Sequence, residues 1–124
     1  MVAEKVFGIR DMALDPISQP PAPVAGRVFF ERRELNTLFS LYGRMVAQGQ
    51  WRDYAIDGLR DAAVFSVFRR TSESPLYRIE KRPALARKQG AWAVITQAGL
   101  IMKRGHELEQ VLKVFDRSRF AVVG

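Results

Sequence analysis

The stretch AWAVITQAGLIMKRG, residues 91–105, decides the fold class. It opens with five apolar residues that include aromatic and β-branched side chains, which predicts a buried strand over residues 91–96. Residues 97–99 (QAG) have the composition of a short turn, and residues 100–103 predict a second strand. Two strands joined by so short a turn pair antiparallel, so this hairpin predicts an antiparallel sheet.

Two further strands are predicted upstream of the hairpin. LYRIEKRP, residues 76–83, alternates between apolar and charged side chains until Pro83 ends the pattern. AVFSVFRR, residues 63–70, is apolar on both faces, which is typical of a central strand. The linker TSESP between them has turn composition, so we expect these strands to pair with each other as well.

Helical periodicity brackets this run of strands. Residues 31–50 predict a helix with an apolar stripe formed by Leu35, Leu38, Phe39, Tyr42, Met45 and Val46. Residues 106–117 predict a second helix with a stripe formed by Leu108, Val111, Leu112 and Phe115. Residues 51–62 fit either a second helical segment or a loop with a short strand. RVFF (residues 27–30) and FAVV (residues 120–123) predict an opening and a closing strand.

The predicted fold is α+β, with a small antiparallel sheet of about four strands packed against two helices in a two-layer sandwich. The predicted order is β-α, then the stretch 51–62 with its two alternatives, then β-β-β-β-α. Residues 27–124 would form this single domain. Residues 1–26 contain PISQPPAPVAG, which predicts a flexible proline-rich tail, with a ligand for an aromatic groove as the alternative.

Composition excludes several classes of protein. The 124 residues are 48% hydrophobic and 27% charged, which is typical of one globular domain and not of a disordered chain. The chain has no cysteine, which excludes disulfides, thiolate metal sites and a cysteine nucleophile. No apolar run approaches the ~20 residues that a membrane span needs. The N-terminus also lacks a signal segment, so we predict a cytoplasmic protein without a membrane partner.

The positive charge is concentrated in one part of the chain. Of 20 basic and 13 acidic residues, nine basic and two acidic ones fall within residues 69–104, and the rest of the chain is neutral overall. We call this stretch the basic window; its cations are Arg69, Arg70, Arg78, Lys81, Arg82, Arg87, Lys88, Lys103 and Arg104. It predicts a nucleic acid, DNA or RNA, or an acidic protein as partner, with a merely solvated surface as the alternative. If residues 76–82 pair with residues 63–70, Arg69, Arg78 and Arg82 could share one face of the sheet.

Aromatic residues and one histidine accompany the basic window. Nucleic-acid bases could stack on Phe65, Phe68, Tyr77 and Trp92, although their spacing is better suited to a core. His106, the only histidine, has no second histidine or cysteine with which to hold a metal. We therefore expect it to serve the turn into the second helix, and not catalysis.

Three aspartates are the candidate catalytic or metal-binding residues. Asp53, Asp57 and Asp61 recur every four residues, so a helix over residues 51–62 would align them in a stripe suited to Mg²⁺ or to acid–base chemistry. Gly58 and the interleaved arginines favour salt-bridged turns instead. No nucleotide-binding, nucleophile-elbow or zinc-protease motif is present, so we expect no cofactor and do not favour an enzyme.

Three blocks between residues 28 and 113 resemble a known family. They are FFERRELNTLFSLYGRMVAQGQWRDYAIDGLRDAAVFSVFRR, SPLYRIEKRPALARKQGAWAV and GLIMKRGHELEQVL, and the family is one of short alphaproteobacterial proteins classed as a domain of unknown function. The resemblance implies a bacterial cytoplasmic protein and no particular activity. The element order is also similar to that of double-stranded-RNA-binding domains, whose second helix opens with lysines. This helix opens with Glu107 and Glu109, so that likeness concerns the fold alone.

The favoured function is a non-enzymatic, nucleic-acid-associated or regulatory binding module that uses the basic window. The alternative is a protein-interaction adaptor or small subunit that docks an acidic protein through the same residues. An enzyme that uses the three aspartates is the third reading. Nothing in the sequence indicates the oligomeric state.

Overall fold

Each strand of the structure pairs with its neighbour in the sequence, which gives one antiparallel sheet in the order β1-β2-β3-β4-β5. A computed structural model describes residues 26–70 and 74–116. Its elements, in chain order, are α1 (Arg32–Ala47), β1 (Asp53–Gly58), β2 (Ala63–Phe68), β3 (Tyr77–Lys81), a 3₁₀ helix (Pro83–Leu85), β4 (Trp92–Thr96), β5 (Ile101–Gly105) and α2 (Leu108–Val111). The predicted α+β class is confirmed, with five strands where about four were expected.

The strand registers fix the two ends of the sheet. One row of paired residues runs across all five strands at one end: Gly58, Ala63, Lys81, Trp92 and Gly105. Helix α1 begins at this end, because Lys81 Nζ lies 2.8 Å from Glu34 Oε1 in its first turn. Residues that follow β2 and residues that precede β3 therefore lie at the opposite end of the sheet.

Helix α1 forms where the stripe at 31–50 predicts a helix. Glu31 and Glu34 form a reciprocal capping box at its start, which satisfies two backbone N–H groups that the first turn leaves without helical partners. Gly49, with φ of 76°, follows its last turn in a conformation that glycine adopts without steric cost. Leu38 and Tyr42 on its inner face are buried against the sheet.

The core lies between one face of the sheet and the two helices, and it is rich in aromatic rings. Tyr54 stacks on Phe65 at 5.3 Å, and Tyr42 meets Tyr54 edge to face at 5.1 Å. Trp51 meets Phe115 edge to face at 5.2 Å, which joins the C-terminal helical region to the same cluster. Such ring pairs add to the stabilisation that burial alone provides.

The predicted opening strand at residues 27–30 is wrong. This segment is extended but joins no strand: among the described residues, its backbone-to-backbone hydrogen bond runs from the Val28 N–H to the carbonyl of Leu59 in the β1–β2 turn, 2.8 Å long. Its aromatic side chains are used for packing, and Phe30 stacks on Trp92 at 6.1 Å. The apolar, aromatic composition that suggests a strand is therefore explained by the packing of these rings.

Other boundaries also differ from expectation. The undecided stretch 51–62 is strand β1 followed by a tight turn, in which Leu59 N–H donates to the Ala62 carbonyl at 2.8 Å. Helix α2 is shorter than predicted, because a turn at Leu112 interrupts it before residues 113–116 become helical again. The predicted tail at 1–26, apart from Gly26, and the predicted closing strand at 120–123 lie outside the described residues.

Candidate nucleic-acid interface

The sheet divides the basic window between its two ends. Arg69 and Arg70 follow β2 and lie at the end opposite the row from Gly58 to Gly105. Arg82 follows β3 and lies at the other end, and Arg78 is within β3 on the face opposite to the core residue Ile79. Arg78 and Arg82 do share one face, because both contact the Glu80 carboxylate. Arg69 does not join them, since it lies past the last paired residue of its strand, at the opposite end of the sheet.

A group of cations lies along the Gly58–Gly105 row, at one end of the sheet, and we call it the basic end. Three of them, Arg82, Arg87 and Lys88, lie in the β3–β4 connection. Arg104 is the next-to-last residue of β5. Two further arginines, Arg27 and Arg60, reach the same end from elsewhere in the chain. The basic end thus consists of Arg27, Arg60, Arg82, Arg87, Lys88 and Arg104.

Sequence reasoning missed Arg27 and Arg60. Arg27 Nη1 donates a hydrogen bond of 2.8 Å to the Gly58 carbonyl, and Arg60 lies in the turn from β1 to β2. Both lie outside residues 69–104, in parts of the chain where basic and acidic residues nearly balance, so a count of charge along the sequence does not single them out. Only the recognition of β1 as a strand, with its turn at this end, could have indicated Arg60.

The connection between β3 and β4 holds Arg87 and Lys88 on a fixed turn. The Arg82 N–H donates to the Ala91 carbonyl at 2.7 Å, which closes the connection at its base. The Lys88 N–H donates to the Leu85 carbonyl at 3.0 Å, which continues the turn begun by the 3₁₀ helix. Both cations are exposed, and neither forms a salt bridge within residues 26–70 and 74–116.

Contacts with β5 add to the rigidity of this connection. His106 Nδ1 lies 3.1 Å from the Ala86 carbonyl, and Arg104 Nη1 donates to the Gly90 carbonyl at 3.2 Å. Gly90 has φ of 108°, and a Cβ atom at this position would collide with the carbonyl of Gly105. Only glycine allows so close an approach of two backbones. His106 thus joins the end of β5 to the connection.

Glu80 neutralises part of the charge. Its carboxylate, with a side chain only 8% exposed, lies 2.9 Å from Arg82 Nε and 3.7 Å from Arg78 Nε. A buried carboxylate requires such partners, because an unpaired charge of this kind is costly. Arg78 and Arg82 therefore contribute less free positive charge than Arg87 and Lys88 do.

Lys81 belongs to the core side of the sheet. Its Nζ contacts Glu34 Oε1, donates to the Phe29 carbonyl at 3.0 Å and lies 5.9 Å from the centre of the Trp92 ring. These contacts hold the start of α1 against β3. Lys103, in contrast, is exposed on β5, opposite Val94.

The aromatic residues near the basic window do not form a stacking platform. Phe65 and Trp92 are buried in the core, and Phe68 is buried as well. Tyr77 is half-buried and packs edge to face on Phe115 at 5.1 Å. The interpretation of Phe65 and Trp92 as core residues is therefore the one that their positions support.

The helical stripe of aspartates does not form. Asp53 and Asp57 lie in strand β1, where residues four apart are about 13 Å apart, and Asp61 lies in the turn beyond it. Asp53 Oδ1 accepts a hydrogen bond of 2.8 Å from the Tyr54 N–H. No group of three or more potential metal ligands occurs among the described residues. Of the two alternatives for residues 51–62, the helix is wrong and the strand forms, with Tyr54 and Ala55 buried in the sheet.

Two core tyrosines have shifted ionisation. Burial raises the pKa of Tyr54 to about 12, and the neighbouring Tyr42 and Asp53 contribute to the increase. Burial, followed by the charge of Asp53, also raises the pKa of Tyr42. Both phenols therefore stay protonated near neutral pH, where they cannot act as bases.

These features define the class of the protein as an α+β domain with a rigid, exposed cationic end and a packed aromatic core. Residues 28–112 match the family model described as Protein of unknown function (DUF2794), and the chain belongs to this family. No curated protein and no solved structure shows significant similarity to the chain. Within residues 26–70 and 74–116, no helix has the length and the apolar character needed to cross a bilayer.

Proposed function

We propose that the protein is a non-enzymatic binding module that contacts the phosphate backbone of a nucleic acid through its basic end. The observation that supports this proposal is the fixed, exposed pair Arg87 and Lys88, at the same end of the sheet as cations from three other segments. Arginine binds phosphate oxygens in a bidentate manner, and a rigid turn loses little conformational freedom on binding. The proposal places the protein in the cytoplasm of a bacterium, where DNA and RNA are both accessible.

The geometry favours recognition of charge and shape over recognition of base sequence. The aromatic rings are in the core, so few are left on which bases could stack. Helix α2 is short and begins beside Glu107 and Glu109, whose carboxylates would repel a phosphate. Contacts would therefore be made mainly with the backbone of the nucleic acid, which suits a regulatory or architectural role with weak sequence preference.

Salt dependence gives the proposal a quantitative form. Binding through about four phosphates of a duplex would release counterions, so the logarithm of affinity should fall with the logarithm of salt concentration with a slope of about −3.6. The test is an anisotropy titration of labelled duplex DNA, duplex RNA and single strands at two salt concentrations. Absence of binding to all of them at low salt would overturn the proposal.

A matched pair of variants locates the interface. We expect the double variant Arg87→Ala/Lys88→Ala to lower affinity about tenfold or more and to reduce the salt slope by about two. Arg52→Ala/Arg69→Ala removes the same charge from exposed positions at the opposite end and should leave affinity within about twofold. Equal losses in both double variants would show that net charge alone drives binding.

The alternative function is an adaptor or small subunit that binds an acidic protein through the basic window. A pull-down from nuclease-treated extract distinguishes the two. Recovery of one protein in stoichiometric amount, together with absence of nucleic-acid binding in the titration, would replace our proposal with the adaptor.

A further inference from the structure

Strand β5 and the residue before it expose three large apolar side chains at the edge of the sheet. Leu100, Ile101 and Met102 are 69%, 53% and 38% exposed. They account for three of the five large hydrophobic side chains that are exposed in the described part of the chain. Consecutive exposed apolar residues on an edge strand are typical of an interaction surface, whereas scattered single residues are not.

The backbone of β5 is also available for pairing. Within the described residues β5 pairs with β4 alone, so its outer edge has no strand neighbour. The register between the two strands is irregular at Val94 and Ile95, and Met102 has no Cα partner in β4. Outward N–H and C=O groups on such an edge can accept an added strand, with main-chain hydrogen bonds providing affinity.

We infer that β5 is a docking edge for an extended segment of a partner protein in which apolar and acidic side chains alternate. The apolar side chains would lie on one face and cover Ile101, which pairs with Ile95 of β4. The acidic ones would lie on the other face and pair with Lys103, which lies opposite Val94 of β4. Cross-strand pairs of opposite charge stabilise such an addition.

The charges exclude a second copy of the chain as the natural occupant. Residues 97–106 contain Lys103, Arg104 and no acidic residue. Pairing two β5 strands would therefore place two cations on each face of the joined sheet without a counter-charge, and like charges on facing strands are destabilising. Lysine on an edge strand commonly prevents such self-association, and here it would select for carboxylates on the incoming strand.

This inference is independent of nucleic-acid binding, because Arg87 and Lys88 are not on β5. The probe is a fluorescein-labelled peptide of about ten residues in which valine and glutamate alternate, and lysine replaces glutamate in a second peptide. We expect the glutamate peptide to bind and the lysine peptide to bind at least about tenfold more weakly. A glutamate peptide with N-methyl groups on alternate amides, which cannot pair as a strand, should also fail to bind.

Variants of the protein make the test decisive. Lys103→Glu should weaken binding of the glutamate peptide about tenfold and strengthen binding of the lysine peptide. The double variant Arg87→Ala/Lys88→Ala should bind the glutamate peptide with the affinity of the unmodified chain. Leu59→Ser changes an exposed apolar residue outside β5 and should have no effect. Hydrogen exchange should show protection of β5 amides on peptide binding, and this readout does not depend on the variants.

Three results would overturn the inference: no binding of the glutamate peptide, equal binding of the N-methylated peptide, or no change of preference in a folded Lys103→Glu variant. If the unmodified protein binds the glutamate peptide but no nucleic acid, only the proposed function is contradicted. The two proposals therefore fail separately.

Discussion

The two edges of the sheet differ in how far they are buried. In β1, Tyr54 is only 4% exposed, because Tyr42 of α1 packs against its ring at 5.1 Å. In β5, Ile101 is 53% exposed, and the helix that follows this strand, α2, spans only Leu108–Val111. The face on which each side chain lies accounts for much of the contrast, since Tyr54 pairs with the core residue Val67, whereas Ile101 pairs with Ile95, which is outside the core cluster. One edge of the same sheet thus belongs to the core and the other to the surface.

The largest expected effect is the difference in stability between two variants, each of which truncates one large side chain to alanine, one at each edge of the sheet. Tyr54→Ala should lower the free energy of unfolding by about 3–5 kcal/mol, because it removes a ring stacked on Phe65. Ile101→Ala should change it by less than about 0.5 kcal/mol, since an exposed side chain contributes little to burial. Urea unfolding of both variants measures the difference, and similar losses would contradict the comparison.

A second effect belongs to the buried edge and depends on pH. The pKa of Tyr54 is about 12 in the folded chain and 10.0 in the reference state. The unfolded chain therefore releases this proton first, so the stabilisation is complete below pH 10 and is lost as pH rises towards 12. We expect a loss of up to about 2.7 kcal/mol from this group.

Tyr54→Phe is the matched control for this pH effect. It keeps the buried ring but has no proton to lose, so its stability should fall less steeply between pH 10 and 12. Unfolding by urea across this range, followed for both proteins, measures the two slopes. Parallel slopes would show that other groups cause the alkaline loss.

The smallest expected effect concerns the close backbone contact between Gly90 and Gly105, which packs the β3–β4 connection against the end of β5. Gly90→Ala should destabilise the fold by about 2 kcal/mol, because it combines an unfavourable positive φ with a collision at the Gly105 carbonyl. Gly43→Ala, at a helical position with no atom nearby, should instead be neutral or stabilising. Thermal unfolding compares them, and equal melting temperatures would contradict the proposed role of Gly90.

Much of the fold can be predicted from the sequence, since its strands follow the alternation of residues 76–83 and the turn at residues 97–99. Strand β1 could not be settled, because Asp53, Asp57 and Gly58 have low strand propensity and only pairing with β2 compensates for this. The segment 27–30 shows the converse, since its aromatic composition predicts a strand, yet Phe30 packs on Trp92 and the segment joins no strand.

The candidate site was predicted only in part. Arg87, Lys88 and Arg104 of the basic window do lie at one end, but the topology sends Arg69 and Arg70 to the other. Proximity in a linear sequence is not proximity in space when each strand reverses direction. A charge count could identify the cations but not their grouping.

The neighbour-to-neighbour order of the strands also has a kinetic consequence. The four connections between consecutive strands, residues 59–62, 69–76, 82–91 and 97–100, are all short. Short loops cost little entropy to close, so the sheet can grow by adding one hairpin at a time. Such local pairing gives a low contact order for a sheet, which favours rapid folding and leaves its strands unpaired only briefly.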